Sequence, residues 1–168
     1  IDNRTKDVDV GRNSHSISDH TQSNWNGIVG DLSLQTSGEI YLENVQLFPN
    51  IESKSVEIKT TIINSGDQKE TIKIDVEAAL KNTETTIKGK SFKFSVDPGE
   101  NNIELNIELG ADALLWDEFN PNLYQLKIEL DARNGGDLKT VDFGLREFKV
   151  QDSRFAINGR PVFLRGTL

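Results

Sequence analysis

Between Glu39 and Val150, apolar side chains return at every second position in one segment after another. Ile103, Leu105, Ile107 and Leu109 alternate most cleanly. Val56, Ile58 and Ile62 share a face opposite Glu57, Lys59 and Thr61, and Ile72, Ile74, Val76, Ala78 and Leu80 continue the pattern. Ile40, Leu42 and Val45 to Phe48, then Phe92, Phe94 and Val96, Tyr124 to Leu130, and Val141, Phe143 and Leu145 complete the set. A two-residue period places alternate side chains on opposite faces of a strand. No long segment carries a 3.6-residue period, which excludes a helical bundle. No crossover helix separates the strands, which excludes a parallel α/β sheet. About seven strands with one apolar and one charged face predict an all-β chain: an immunoglobulin-like antiparallel β-sandwich.

The breaks carry their own chemistry. Asp97–Pro98–Gly99 is a turn in which proline presets one dihedral and glycine accepts positive φ. Pro49–Asn50, Ser65–Gly66–Asp67 and the run from Arg133 to Asp137 close other strands. In LLWDEFNPNLYQLKIEL, residues 114–130, the reading is a short helical turn over residues 111–116, a break at Asp117, Asn120 and Pro121, then a strand. A further short strand is expected over residues 28–35, where Leu32 and Leu34 alternate with polar neighbours. Asn158–Gly159 between apolar pairs signals a two-residue hairpin. The run Val162, Phe163, Leu164 reads as a strand made to be covered on both faces. The chain begins at Ile1 and contains no methionine, so it is expected to be an excerpt of a longer protein.

Charge and composition narrow the function. A formal net charge of −8 repels phosphate backbones and argues against nucleic acid. No apolar run is long enough to cross a bilayer, so no membrane partner is expected. The chain has no cysteine, which removes disulfides and thiolate metal sites. His15 and His20, with Asp19 and the serines of SHSISDHT, match no zinc spacing and read as a polar loop. Asp131, Asn134 and Asp137 resemble a loose calcium loop without the regular ligand spacing, and read as a solvated hairpin tip. Glu57, Glu70, Glu77, Glu104 and Glu129 fall on polar strand faces, so no acid and nucleophile pair stands out. No catalytic residue, metal or cofactor is assigned. Trp25 either stacks on a sugar ring or packs in a core. Trp116 and Tyr124 either form a sugar platform or close a sandwich end, with the tyrosine hydroxyl bonded to backbone.

Three stretches together, NWNGIVGDLSLQ (24–35), LLWDEFNPNLYQLKIEL (114–130) and FGLREFKVQDSRFAINGRPVFLRGTL (143–168), resemble family 2 glycoside hydrolases, the group of β-galactosidases, β-glucuronidases and β-mannosidases. The resemblance implies a jelly-roll sugar-binding domain first, an immunoglobulin-like sandwich second and a TIM barrel third. On it, residues 1–37 correspond to the tail of the first or to a linker, 38–150 to the sandwich and 151–168 to the lead-in to the barrel. The family's two catalytic glutamates, acting by the retaining mechanism, would lie beyond Leu168. Asp19, Asn24, Trp25 and Arg165 would be possible sugar contacts, with an ion pair at a domain junction as the other reading of Arg165. Partners would be the neighbouring domains and an oligo- or polysaccharide, in a parent expected to be periplasmic or extracellular. A free-standing carbohydrate-binding or adhesion sandwich is the alternative.

Overall fold

The structure, a computed structural model, describes Ile28, residues 30–83 and residues 85–166. The chain divides into two units, Ile1–Thr36 and Ser37–Leu168. In the first, the described residues form no strand, against the expectation for residues 28–35, and Leu34 is 98% exposed. Leu32 and Leu34 bury too little apolar area to hold a lone extended segment, which needs a neighbour for its backbone groups.

The second unit is all-β among its described residues, with antiparallel pairing throughout. Seven strands build the sandwich: β1 Ile40–Asn50, β2 Ser55–Asn64, β3 Glu70–Leu80, β4 Thr86–Val96, β5 Gly99–Glu108, β6 Tyr124–Ala132 and β7 Gly135–Phe143. One sheet has the order β1-β2-β5 and the other β4-β3-β6-β7. Successive strands are hydrogen-bonded neighbours except where the chain changes sheet. The Asp97–Pro98–Gly99 turn is one such change, carrying the chain from β4 to β5. Gly99 there takes φ +94°, and the Asn101 side chain accepts from the Asp97 amide and donates to the Asp97 and Gly99 carbonyls.

The core lies where the alternating faces meet. Val56, Ile58, Ile62, Ile72, Ile74, Val76, Leu126, Ile128 and Leu130 are fully enclosed, as the two-residue period predicts. Thr60 occupies an inward position between Ile58 and Ile62, and its hydroxyl donates to the Asn44 carbonyl at 2.8 Å, which satisfies the buried polar group.

Two bulges reset the alternation. In β1 the register slips between Leu42 and Asn44, leaving Glu43 as an extra residue. Ile40 and Leu42 face inward before it, Val45 and Leu47 after it. In β4 the slip opposite Val76 and Ala78 moves the inward set from Phe94 and Phe92 to Ile87. The bulged backbone at Gly89 passes so close that a Cβ there would meet the Val76 carbonyl oxygen at 3.0 Å.

The expected helical turn over residues 111–116 is absent. A single bond from the Ala113 amide to the Gly110 carbonyl, 3.1 Å, turns the chain, which then runs extended to an isolated bridge between Trp116 and Pro121. Six residues between two tightly held ends nucleate no helix, because the first turn must fix several residues for one bond.

After the sandwich come β8 Phe148–Gln151, β9 Arg154–Ile157 and β10 Arg160–Pro161, a small sheet of order β10-β9-β8. Asn158 and Gly159, at φ +51° and +77°, make the β9–β10 hairpin turn as the sequence predicts. Val162 to Leu164 are not a strand, contrary to the sequence reading. The Val162 amide donates to the Phe155 carbonyl of β9 at 2.8 Å, but the pairing goes no further among the described residues, and Phe163 is 85% exposed.

Candidate functional site

The features not explained by the sandwich itself gather at one end, where the loop before β6 meets the small sheet. The loop is pinned at both sides. The Leu109 amide donates to the Lys54 carbonyl at 2.8 Å, and the Lys54 ammonium donates to the Ala113 carbonyl at 3.0 Å. The buried Tyr124 ring stacks on Phe143, centroids 5.5 Å apart, and its hydroxyl is bonded to the backbone of Leu114. This is the end-closing role read from the sequence. Burial pushes the Tyr124 hydroxyl above the ordinary tyrosine range, opposed by its hydrogen bond to Leu114.

Trp116 is half-buried. Its amide donates to the Leu145 carbonyl at 2.9 Å, and the Arg146 guanidinium lies 4.4 Å from its ring centroid. Gly144 passes beneath it, where an added Cβ would come within 2.9 Å of the Trp116 Cβ and Cγ. The turn beyond is held by Asp117, whose Oδ1 accepts from the amides of Phe119 at 2.8 Å and Asn120 at 2.7 Å. Those two backbone bonds hold its carboxyl below the usual range, as expected for a carboxylate that accepts amide protons.

The small sheet carries an apolar face open to solvent. Phe148 and Val150 lie opposite Ile157 and Phe155 in the register, on one face, and the Phe148 and Phe155 rings stack 5.4 Å apart. Phe148, Val150, Phe155, Phe163 and Leu164 are exposed. Arg154, Phe155 and residues 161–164 line an open groove of about 650 Å³. Contiguous apolar surface of this kind marks an interaction site more often than ordinary surface does.

The outer strand faces carry ion pairs. Lys59 reaches Glu104 at 2.9 Å, Lys73 reaches Asp75 at 2.6 Å, Lys127 reaches Glu129 at 2.9 Å, and Lys81 pairs with Asp142. Hydrogen bonds from Lys73 and Ser91 lower the Asp75 carboxyl, and bonds from Lys81 and Gln125 lower Asp142. Each carboxyl with a resolved shift is therefore held ionised, the opposite of what a general acid requires. Asp137 accepts from the Leu42 amide at 2.9 Å, and Asn134 donates to Glu39 at 3.2 Å, so the hairpin tip serves to join β7 to β1. Among the described residues, no group of three or more His, Asp or Glu side chains is placed to hold a metal ion.

Of the residues singled out as sugar contacts, Asp19, Asn24 and Trp25 lie outside the described residues, as do His15 and His20. Arg165 is exposed, beside the apolar run that ends at Leu164. Sequence reasoning missed Asn158 as more than a turn residue and Arg160 altogether. The type of the Asn-Gly turn was legible; the reach of the asparagine side chain across the molecule was not.

A family model described as Glycosyl hydrolases family 2 matches residues 40–146. The chain is 29% identical over 147 residues to a β-galactosidase of Thermoanaerobacterium thermosulfurigenes, across 84% of this chain and 20% of that protein. It is 28% identical over 151 residues to a β-galactosidase of Oenococcus oeni, across 84% of this chain and 14% of that protein. It thus spans a fifth or less of the length of these relatives. Among solved structures, a glycosyl hydrolase family 2 member from Bacteroides cellulosilyticus superposes with a TM-score of 0.63 at 20% identity, over 73% of this chain and 17% of that one. A β-glucuronidase of Parabacteroides merdae does so with a TM-score of 0.59 at 21% identity, over 77% and 16%.

Proposed function

The chain belongs to glycosyl hydrolases family 2, and from that premise we propose that it is a non-catalytic β-sandwich module of an enzyme that hydrolyses the O-glycosidic bonds of β-glycosides. Its task is to seat a sugar-binding domain against a catalytic barrel. In this reading residues 1–37 end the sugar-binding domain, 38–150 are the spacer and 151–168 lead into the barrel. The barrel supplies the two glutamates of a retaining mechanism, and Asp19, Asn24, Trp25 and Arg165 contact sugar near its mouth.

The observation that carries this reading is the solvent-facing apolar surface of Phe148, Val150, Phe155, Phe163 and Leu164 at the end of a well-packed sandwich. A spacer needs a rigid body and a surface to bury against its neighbour, and both are present.

The test is turnover of nitrophenyl β-galactoside, β-glucuronide and β-mannoside by this chain alone. No hydrolysis above buffer is expected, and turnover would refute the non-catalytic reading. Glycan binding that vanishes in Trp25→Ala would instead favour a free-standing carbohydrate-binding sandwich.

A further inference from the structure

One side chain ties the small sheet to the sandwich. The Asn158 amide donates to the Glu147 carbonyl at 2.9 Å, an ordinary backbone bond. Its Oδ1 accepts from the Glu147 amide at 2.9 Å, and its Nδ2 donates to the Trp116 carbonyl at 2.9 Å. The residue thus bonds the two ends of its own small sheet and the loop before β6, 42 residues away in sequence. All three groups lie in the part-buried seam, where an unmade bond is costly. Arg160, two residues on, pairs with Glu118 at 2.8 Å and lies 5.1 Å from the Phe119 ring centroid, on the same loop.

We infer that Asn158 is a positioning residue: through Trp116 and Glu147 it locks the small sheet to the sandwich, and so fixes the angle at which the apolar face of Phe148, Val150 and Phe155 meets its partner domain. Arg160 is the second fastening. The turn alone does not account for the asparagine. Positive φ suits glycine at least as well, and glycine would bond nothing. Without the Asn158 bonds, the small sheet is held by residues 144–147 and by the exposed Arg160–Glu118 pair, and it pivots there. This inference deepens the spacer reading and rests on it for the identity of the partner; the lock itself does not.

The experiment uses this chain, with Asn158→Gly to keep the turn and remove the side chain. Asn158→Asp keeps the acceptor for Glu147 and removes the donor to Trp116. Residual dipolar couplings report whether the small sheet and the sandwich share one orientation. Amide hydrogen exchange reports local opening. A single alignment frame is expected in the unaltered chain and two in Asn158→Gly, with exchange in β8 and β9 about thirtyfold faster, the effect of losing two ordinary side-chain hydrogen bonds. Exchange in β2, β3 and β6 stays unchanged. Asn158→Asp is expected to split the frames while protecting the Glu147 amide. One shared frame in Asn158→Gly, or equal acceleration in the sandwich core, would overturn the inference. Should Asn158→Gly fail to fold, a single frame in Asn158→Asp refutes it equally. None of these outcomes depends on glycoside hydrolysis, so the lock and the spacer reading fail separately.

Discussion

The hydroxyl oxygen of Tyr124 lies 2.7 Å from the amide nitrogen of Leu114 and 3.2 Å from the carbonyl oxygen of the same residue. One side chain at the start of β6 thereby serves as acceptor and donor for a single residue of the preceding loop. The placement is that of the tyrosine corner in immunoglobulin-like sandwiches, a tyrosine at the head of a strand bonded to backbone upstream. Tyr124→Phe leaves the Leu114 amide without its partner. A loss of about 1–3 kcal/mol is expected in urea unfolding, with an unchanged slope.

Asp117 gives the loop a pH dependence of definite sign. Its folded carboxyl titrates below its unfolded value, so it contributes stability above an unfolded value of about 3.9, and that contribution disappears as pH falls through the lower folded value. Acidification below about pH 3.9 should release the amides of Phe119 and Asn120, while Asp117→Asn should flatten the dependence of their chemical shifts on pH. A loop indifferent to pH in the unaltered chain would contradict this.

Gly144 has no room to grow. A methyl group at this position collides with Trp116, whose ring is itself held by the Arg146 guanidinium. Gly144→Ala should cost about 1–3 kcal/mol by overpacking and change the indole fluorescence of Trp116. Gly166→Ala, where an added Cβ meets nothing within 4 Å, is the control and should leave the melting temperature in place.

The core answers to volume. Ile128 is fully enclosed in β6 between β3 and β7, and Ile128→Ala should destabilise the sandwich by about 2–5 kcal/mol in chemical denaturation.

The exposed face packs on itself, through the Phe148–Phe155 stack, rather than on the sandwich core. Phe148→Ser together with Val150→Ser should leave the unfolding midpoint nearly unmoved, within the roughly 0.5 kcal/mol typical of surface positions, and should reduce binding of an apolar dye. A large loss of stability would mean that these side chains pack within the unit after all.

What could be read before the structure was what repeats. Ile103 to Leu109 and Tyr124 to Leu130 announce their strands because burial on one face imposes a strict period, and Asn158–Gly159 announces its turn because few residues take positive φ. Three things were not legible, each for a physical reason. Leu32 and Leu34 carry the alternation of a strand, but alternation does not supply a bonding neighbour. The stretch over residues 111–116 has residues that favour helix, but it is too short and too firmly pinned to form one. Of the bonds Asn158 makes, the one to Trp116 spans 42 residues of sequence, and no local pattern encodes a contact set by the docking of two sheets. The candidate site suffered most, since three of its four sequence-assigned residues precede the described region and the fourth, Arg165, is exposed.

The bulge at Glu43 makes the chain unequally sensitive to changes in its length. Excising Glu43 removes the surplus residue and leaves Ile40, Leu42, Val45 and Leu47 in perfect alternation, so β1 should straighten with its inward set intact. Excising Thr61 from β2, which has no surplus, turns one end of that strand inside out: either Ile62 or Ile58 is driven toward water while a polar neighbour takes its place. Insertions and deletions acquired by descent should accordingly collect at the edge strand and spare the middle one.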